Sequence, residues 1–166
     1  KFTKGQPVLL LLGDMIYESF GPKSCMSQLI DAYEKTGLPV VSMHSVPLSD
    51  VVHYGIMHGQ WENKEETLLK LDAFCEKPSC EYAQEFLTTI RKNKRDQYYA
   101  VFGQYILTKE VFEVLERDVK ENRTSQGEIQ LTGALDKVRE RIGMMGLLMN
   151  GKSYDIGLPE KYRETL

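Results

Sequence analysis

Residues Val8-Leu9-Leu10-Leu11-Leu12 run without a polar break and end on Gly13-Asp14. A strand with one wet face alternates apolar and polar residues. An unbroken aliphatic run therefore predicts a strand covered on both faces, as in a parallel sheet packed between helices. Asp14 then stands just past the strand's carboxyl end, the edge at which open α/β sheets bind ligands. Gly13 permits a turn or a close backbone approach there. A second reading makes Asp14 a turn cap and nothing more, and this stretch alone does not choose between them.

The rest of the pattern alternates strands with helices. Between Ser24 and Thr36, residues Met26, Leu29, Ile30 and Tyr33 fall at i, i+3, i+4 and i+7, with Ser24 as a cap and Gly37 as a stop. Pro39 to Met43 reads as a second buried strand, so the first half resolves into a βαβ unit with a right-handed crossover. Tyr54–Met57 and Leu68–Leu71 read as a hairpin around the polar loop Glu62–Glu66. A helix is expected near Tyr82 to Lys92 and a strand at Tyr98–Phe102. Thr108 would cap a helix carrying Val111, Phe112, Leu115 and Val119, and another helix is expected from about Glu128 to Arg141. Asn150-Gly151, between Leu147-Leu148-Met149 and Ser153-Tyr154-Asp155, is a hairpin signal. No repeat or linker interrupts the 166 residues, which suit one domain.

Composition mostly excludes. A net charge of -3 gives no electrostatic footprint for nucleic acid or an anionic membrane. The longest apolar run falls far short of a membrane span, and Lys1-Phe2-Thr3-Lys4-Gly5 leads into no signal-peptide pattern. Cys25, Cys75 and Cys80 are odd in number and lack CxxC spacing, which reads as reduced thiols in a cytoplasmic protein. Arg91-Lys92-Asn93-Lys94-Arg95 reads as a solvated helix end rather than a nucleic-acid patch. His53 and His58 have no third metal ligand nearby. Trp61 reads as local packing, and Asn122-Arg123-Thr124 as a chance glycosylation triplet.

Two other stretches place charges at strand ends. In Glu76-Lys77-Pro78 the proline stops pairing, so both charges project from the sheet edge. The carboxylate could accept from sugar hydroxyls and the ammonium could neutralise phosphate, although a loop charge pair is the commoner fate of such a tripeptide. Tyr154-Asp155-Ile156-Gly157 again sets an acid beside a glycine at a strand end. Asp14 and Asp155 would suit Mg²⁺ if the fold joins them, because that ion takes one or two carboxylates and completes its shell with phosphates and water.

The order of these motifs resembles a known family. Gly13-Asp14, Tyr54-Gly55, Glu76-Lys77-Pro78, the stretch from Val101 to Leu107, Gly127-Glu128-Ile129-Gln130-Leu131-Thr132 and Tyr154-Asp155-Ile156-Gly157 occur in the sequence order of bacterial UTP–glucose-1-phosphate uridylyltransferases, members of the sugar-nucleotidyltransferase superfamily. The resemblance implies a Rossmann-like α/β fold, with a mixed but mostly parallel sheet flanked by helices. It implies that Asp14 and Asp155 bind metal and act in catalysis with Lys77, which contacts the sugar phosphate. Glu76 is implied to hold sugar hydroxyls, Gly55 and Gly103 to lie against the hexose, and Val101 and Tyr105 to line its pocket. The implied reaction takes UTP and glucose 1-phosphate to UDP-glucose and pyrophosphate with Mg²⁺. Another sugar-1-phosphate nucleotidyltransferase, thymidylyl or guanylyl, and a non-catalytic sugar-phosphate-binding or regulatory domain are the alternatives.

Some positions depart from the family pattern. Met15 stands where an acid is usual, Gln104 where an arginine precedes the motif tyrosine, and Gly133 where an aspartate follows Leu-Thr. No stretch resembles the family's glycine-rich nucleotide loop, GxGTRxxP. The chain is therefore expected to be the C-terminal part of a catalytic domain, with its fold incomplete on the N-terminal side. It should be inactive alone and, with an uncovered hydrophobic edge, a homo-oligomer.

Overall fold

The computed structural model describes residues 3–91, 94–124 and 129–156, with the side chains of 94–97 and 155 excepted. Its organising element is β7 (Lys94–Leu107), a long strand whose aromatic and β-branched residues suit a pleated, packed surface. β1 (Val8–Leu11) and β3 (Val40–Val46) each pair antiparallel with it. β8 (Met145–Leu148) lies parallel to β3 and antiparallel to β5 (Leu68–Glu76). β4 (Gly55–Trp61) forms an antiparallel hairpin with β5, as expected, and touches β7 again through Ile56↔Ala100 and Met57↔Tyr99. β6 (Thr89–Arg91) pairs with the start of β7. A separate ribbon joins β2 (Met15–Ser19) to β9 (Gly151–Asp155).

The helices cover both faces. α1 (Cys25–Thr36) begins with Ser24 accepting from Ser27 N–H and ends at Gly37 in the left-handed region, as its sequence predicts. Its Leu29 and Ala32 pack on Val40, Ile106 and Met145. α3 (Lys109–Lys120) and α4 (Leu131–Ile142) contribute Val111, Val114, Leu135 and Val138 to the main core around Val41, Met43, Tyr99 and Tyr105. Neighbours along one strand, such as Val40 and Val41, thus serve opposite layers, the period-two alternation of a strand. Between β3 and β4 runs a short 3₁₀ helix, Leu48–His53. With α2 (Cys80–Phe86), it closes a smaller core over Val51, Ile56, Ala83, Leu87 and Tyr98. Among the described residues no helix is long and apolar enough to cross a membrane.

Several expectations need correction. The sheet is mixed, and β3–β8 is its one parallel pairing among the described residues. β1 does have apolar layers on both sides, Leu9 toward α1 and Leu10 toward the main core, yet it is an antiparallel edge strand. Leu11 and Leu12 are about 40% exposed, at 40% and 38%. An aliphatic run reports what covers a strand's faces and says nothing of its neighbours' direction. β7 intervenes between β1 and β3, so the first half is no adjacent βαβ pair. The buried stripe of α1 is Cys25, Leu29 and Ala32, while Met26 and Ile30 face outward. α2 stops at Phe86, because the β-branched residues from Thr88 to Ile90 extend into β6. Arg91 is therefore a strand residue rather than a helix end, and Lys92 and Asn93 lie outside the described residues. α4 starts at Leu131, with Glu128 likewise outside them.

The Asn150-Gly151 hairpin does not form. A type I′ turn needs positive φ at both central residues, and neither residue adopts it. Asn150 is held instead by Gln28, whose Oε1 accepts from its N–H at 3.0 Å, and by Phe20 N–H donating to its carbonyl at 3.2 Å. The chain thereby leaves β8 in one sheet and enters β9 in another.

Candidate functional site

A cleft of about 410 Å³ opens where the β1–β2 corner, the ends of β4 and β5, and the middle of β7 meet. Asp14, Gly55, Glu76, Lys77, Val101, Gly103 and Tyr105 all line it. The side chain of Asp155 is outside the described ones, but its backbone is close to Asp14. The β2–β9 register opens with Met15↔Asp155, and Ile156 N–H donates to the Asp14 carbonyl at 2.9 Å. Gly157, Gly127 and Glu128 of the quoted motifs lie outside the described residues.

Each wall has a local cause. Gly55 and Glu76 are register partners across the β4–β5 hairpin. A Cβ on Gly55 would lie 2.9 Å from Phe74 Cε2 and 3.0 Å from Glu76 Oε2, so a larger residue would push the carboxylate aside. Lys77 leaves the strand with φ 47, a conformation costly for a residue with a Cβ. Its N–H is tied to the Tyr54 carbonyl at 3.0 Å, and buried Pro78 follows. β7 turns alternate residues, Val101, Gly103 and Tyr105, toward the cleft.

At Gly103 the strand is irregular. φ is +93, and opposite it the β3–β7 register shifts between Val41 and Met43. Ser42 Oγ donates to the Gln104 carbonyl at 2.8 Å and accepts from Gln104 N–H at 3.0 Å, which stabilises the shift. The Gly103 carbonyl accepts from Leu12 N–H at 3.0 Å and from the Tyr17 hydroxyl at 2.8 Å. These two bonds fasten the corner carrying Asp14 to β7.

The charged side chains along the lining are Asp14, Glu76 and Lys77, all exposed. Burial pushes the Tyr17 phenol up to about 12. Burial, then the nearby Glu76 charge, pushes Tyr105 well above the ordinary phenol range, so both tyrosines stay neutral hydrogen-bonding groups. No cluster of three or more His, Cys, Asp or Glu that could hold a metal occurs among the described residues. His58 is taken by Asp72, and Trp61 packs edge-on against Tyr99 while donating to the Ile90 carbonyl.

Sequence reasoning gave no role to Thr132, whose hydroxyl donates to Glu76 Oε2 at 3.0 Å, nor to Leu12, Met15, His53 and Tyr54, which complete the lining. Thr132 and Glu76 are 56 positions apart, and no local spacing could pair them.

The fold and the cleft define a class: an α/β protein with an acid- and lysine-lined cleft beside the central strand of a mixed sheet. Residues 1–165 match the family model for nucleotidyl transferases, and the chain belongs to that family. It is 32% identical over 158 residues to UTP–glucose-1-phosphate uridylyltransferase 2 of Streptococcus pyogenes, covering 94% of this chain and 48% of that protein. A UTP–glucose-1-phosphate uridylyltransferase of Staphylococcus epidermidis is 32% identical over 157 residues, covering 95% of this chain and 48% of the relative. A crystal structure of apo UDP-glucose pyrophosphorylase superposes with a TM-score of 0.81 at 28% identity, over 98% of this chain and 54% of that one. A UDP-glucose pyrophosphorylase complexed with UDP-glucose gives 0.79 at 27% identity, over 98% and 55%. The chain spans about half the length of the curated relatives it matches.

Proposed function

We propose that this chain forms the sugar-phosphate and metal side of a site that transfers a uridylyl group from UTP to glucose 1-phosphate, giving UDP-glucose and pyrophosphate. The observation that carries this reading is the convergence of Asp14, Glu76 and Lys77 with two backbone-exposing glycines in one cleft. The relatives' names supply the substrates.

Lys77 would hold the sugar phosphate as a charge-assisted partner, and its exposed position at the strand end lets the ammonium reach it. Glu76 accepts from sugar hydroxyls. Gly55 and Gly103 let the hexose lie against backbone, and Val101 and Tyr105 give it an apolar wall. The phosphate oxygen attacks the α-phosphorus in line, the bond to pyrophosphate breaks, and no covalent enzyme intermediate is needed. Asp14 and Asp155 would hold Mg²⁺. Both are hard oxygen donors of the kind Mg²⁺ takes, and the β2–β9 ribbon brings their backbones close, through Met15↔Asp155 and the Ile156 N–H bond to the Asp14 carbonyl. When bound, Mg²⁺ supplies neutralisation of phosphate charge. Free cysteines at 25, 75 and 80 accord with a cytoplasmic setting, and the half-exposed β1 edge with a homo-oligomer.

Calorimetry with glucose 1-phosphate and Mg²⁺ tests the assignment. Lys77→Ala should weaken binding roughly tenfold to a hundredfold and affect UTP less. Unchanged affinity for glucose 1-phosphate would return Lys77 to the surface charges. No glycine-rich nucleotide loop occurs within these residues, so the chain alone should bind without turnover. Pyrophosphate release in the ordinary range of about 1–10³ s⁻¹ would refute a one-sided site.

A further inference from the structure

We propose that Thr132 is a positioning residue that fixes the Glu76 carboxylate for reading sugar hydroxyls. The inference rests on the function proposed above for the cleft. Glu76 is exposed at the end of β5, where a glutamate ordinarily samples several rotamers. Two contacts from different elements restrict it here. Thr132, in the first turn of α4, donates to Oε2 at 3.0 Å. The same oxygen lies 3.0 Å from the point a Cβ on Gly55 would occupy, so it rests against bare backbone of β4.

That arrangement has a chemical consequence. A carboxylate accepts from two hydroxyls of one ring only when its plane is set relative to that ring. Thr132 supplies the donor that sets it, while the remaining lone pairs stay open to the cleft. Sites built to pair with a substrate hydroxyl discriminate strongly against analogues lacking it. Thr132 would therefore act on sugar choice through Glu76 rather than by touching the phosphate, which is Lys77's part.

The test is calorimetry with glucose 1-phosphate and with methyl phosphate, which has no ring hydroxyls, on wild type, Thr132→Val, Thr132→Ser, Glu76→Ala and the double variant Thr132→Val/Glu76→Ala. Thr132→Val should weaken glucose 1-phosphate about three- to tenfold, and Thr132→Ser, which keeps the hydroxyl, should stay within about twofold of wild type. Methyl phosphate should bind Thr132→Val and Thr132→Ser as it binds wild type. In the Glu76→Ala background, Thr132→Val should cost nothing more, since a residue acting through Glu76 has nothing left to orient. An unaffected Thr132→Val, an equal loss with methyl phosphate, or an additive double variant would each overturn the proposal. Failure of wild type to bind glucose 1-phosphate would sink the functional reading instead. The positioning claim would then turn on a crystal structure of Thr132→Val: a Glu76 carboxylate displaced from Gly55 supports it, and an unmoved one refutes it.

Discussion

Replacing Gly103 by alanine asks whether the irregularity of β7 is required. At φ +93 a residue with a Cβ is strained by roughly 1–3 kcal/mol. The new Cβ would also stand 2.7 Å from the Tyr17 hydroxyl, too close for any real contact. The hydroxyl is the end of a side chain and can move, but only by giving up its 2.8 Å bond to the Gly103 carbonyl, worth about 0.5–1.5 kcal/mol. Together these give a loss of roughly 2–4 kcal/mol. It should be read in urea unfolding as a lower midpoint at constant slope. Tyr17→Phe separates the terms. Alone it should cost about 1 kcal/mol, and in the double variant the clash is gone, so the two losses should sum to less than their parts by at least about 0.5 kcal/mol. A Gly103→Ala protein within about 0.5 kcal/mol of wild type, or strict additivity, would refute this account of the bulge.

Two further outcomes follow from buried groups. Asp118 is 5% exposed and receives Lys137 Nζ on both oxygens, at 2.8 and 2.7 Å. Lys137→Met should cost about 1–3 kcal/mol of unfolding free energy, less than a fully buried pair because the lysine side chain is 46% exposed; no loss would mean that the pair is ornamental. Tyr17 and Tyr99 are pushed to about 12 by burial, and Tyr105 is raised as well. The unfolded chain releases these protons near pH 10 while the folded chain keeps them. Stability should therefore hold below about pH 10 and fall from there toward pH 12, with delayed phenolate absorbance; a flat urea midpoint across that window would contradict it.

Local chemistry was legible in the sequence where one segment decides it. The Ser24 cap, the Gly37 stop, the β4–β5 hairpin and the buried strand from Val40 could be read directly, because each depends on neighbours in the chain. Pairing direction could not. Leu9 and Leu10 look the same whether β1 joins a parallel or an antiparallel partner. The cleft was legible in part. Seven of the residues to which the resemblance gave site roles line it, yet Thr132 could be joined to Glu76 only by the packing of α4 against β5. The Tyr17–Gly103 bond spans 86 positions and was equally invisible.

The strongest local signal that failed decides where the segment ending in Asp155 lies. Had Asn150-Gly151 closed a hairpin, the segment ending in Asp155 would have paired along β8, beside Met145 to Leu148. It pairs along β2 instead, with Met15↔Asp155 as the first step of the register, and this brings backbone 140 positions apart into contact (155 minus 15). Gly151 serves that approach rather than a turn. A Cβ there would lie 2.4 Å from the Glu18 carbonyl oxygen and 2.9 Å from Cys25 Sγ, so only glycine lets β9 lie this close to β2 and α1. Gln28 and Phe20 hold Asn150 at the crossing point. A dipeptide's preference for a turn is a weak bias, of the size of a single residue's conformational choice. A full ribbon register, two hydrogen bonds and a close-packed glycine outweigh it. The backbone of Asp14 meets that of Ile156 because the hairpin was refused.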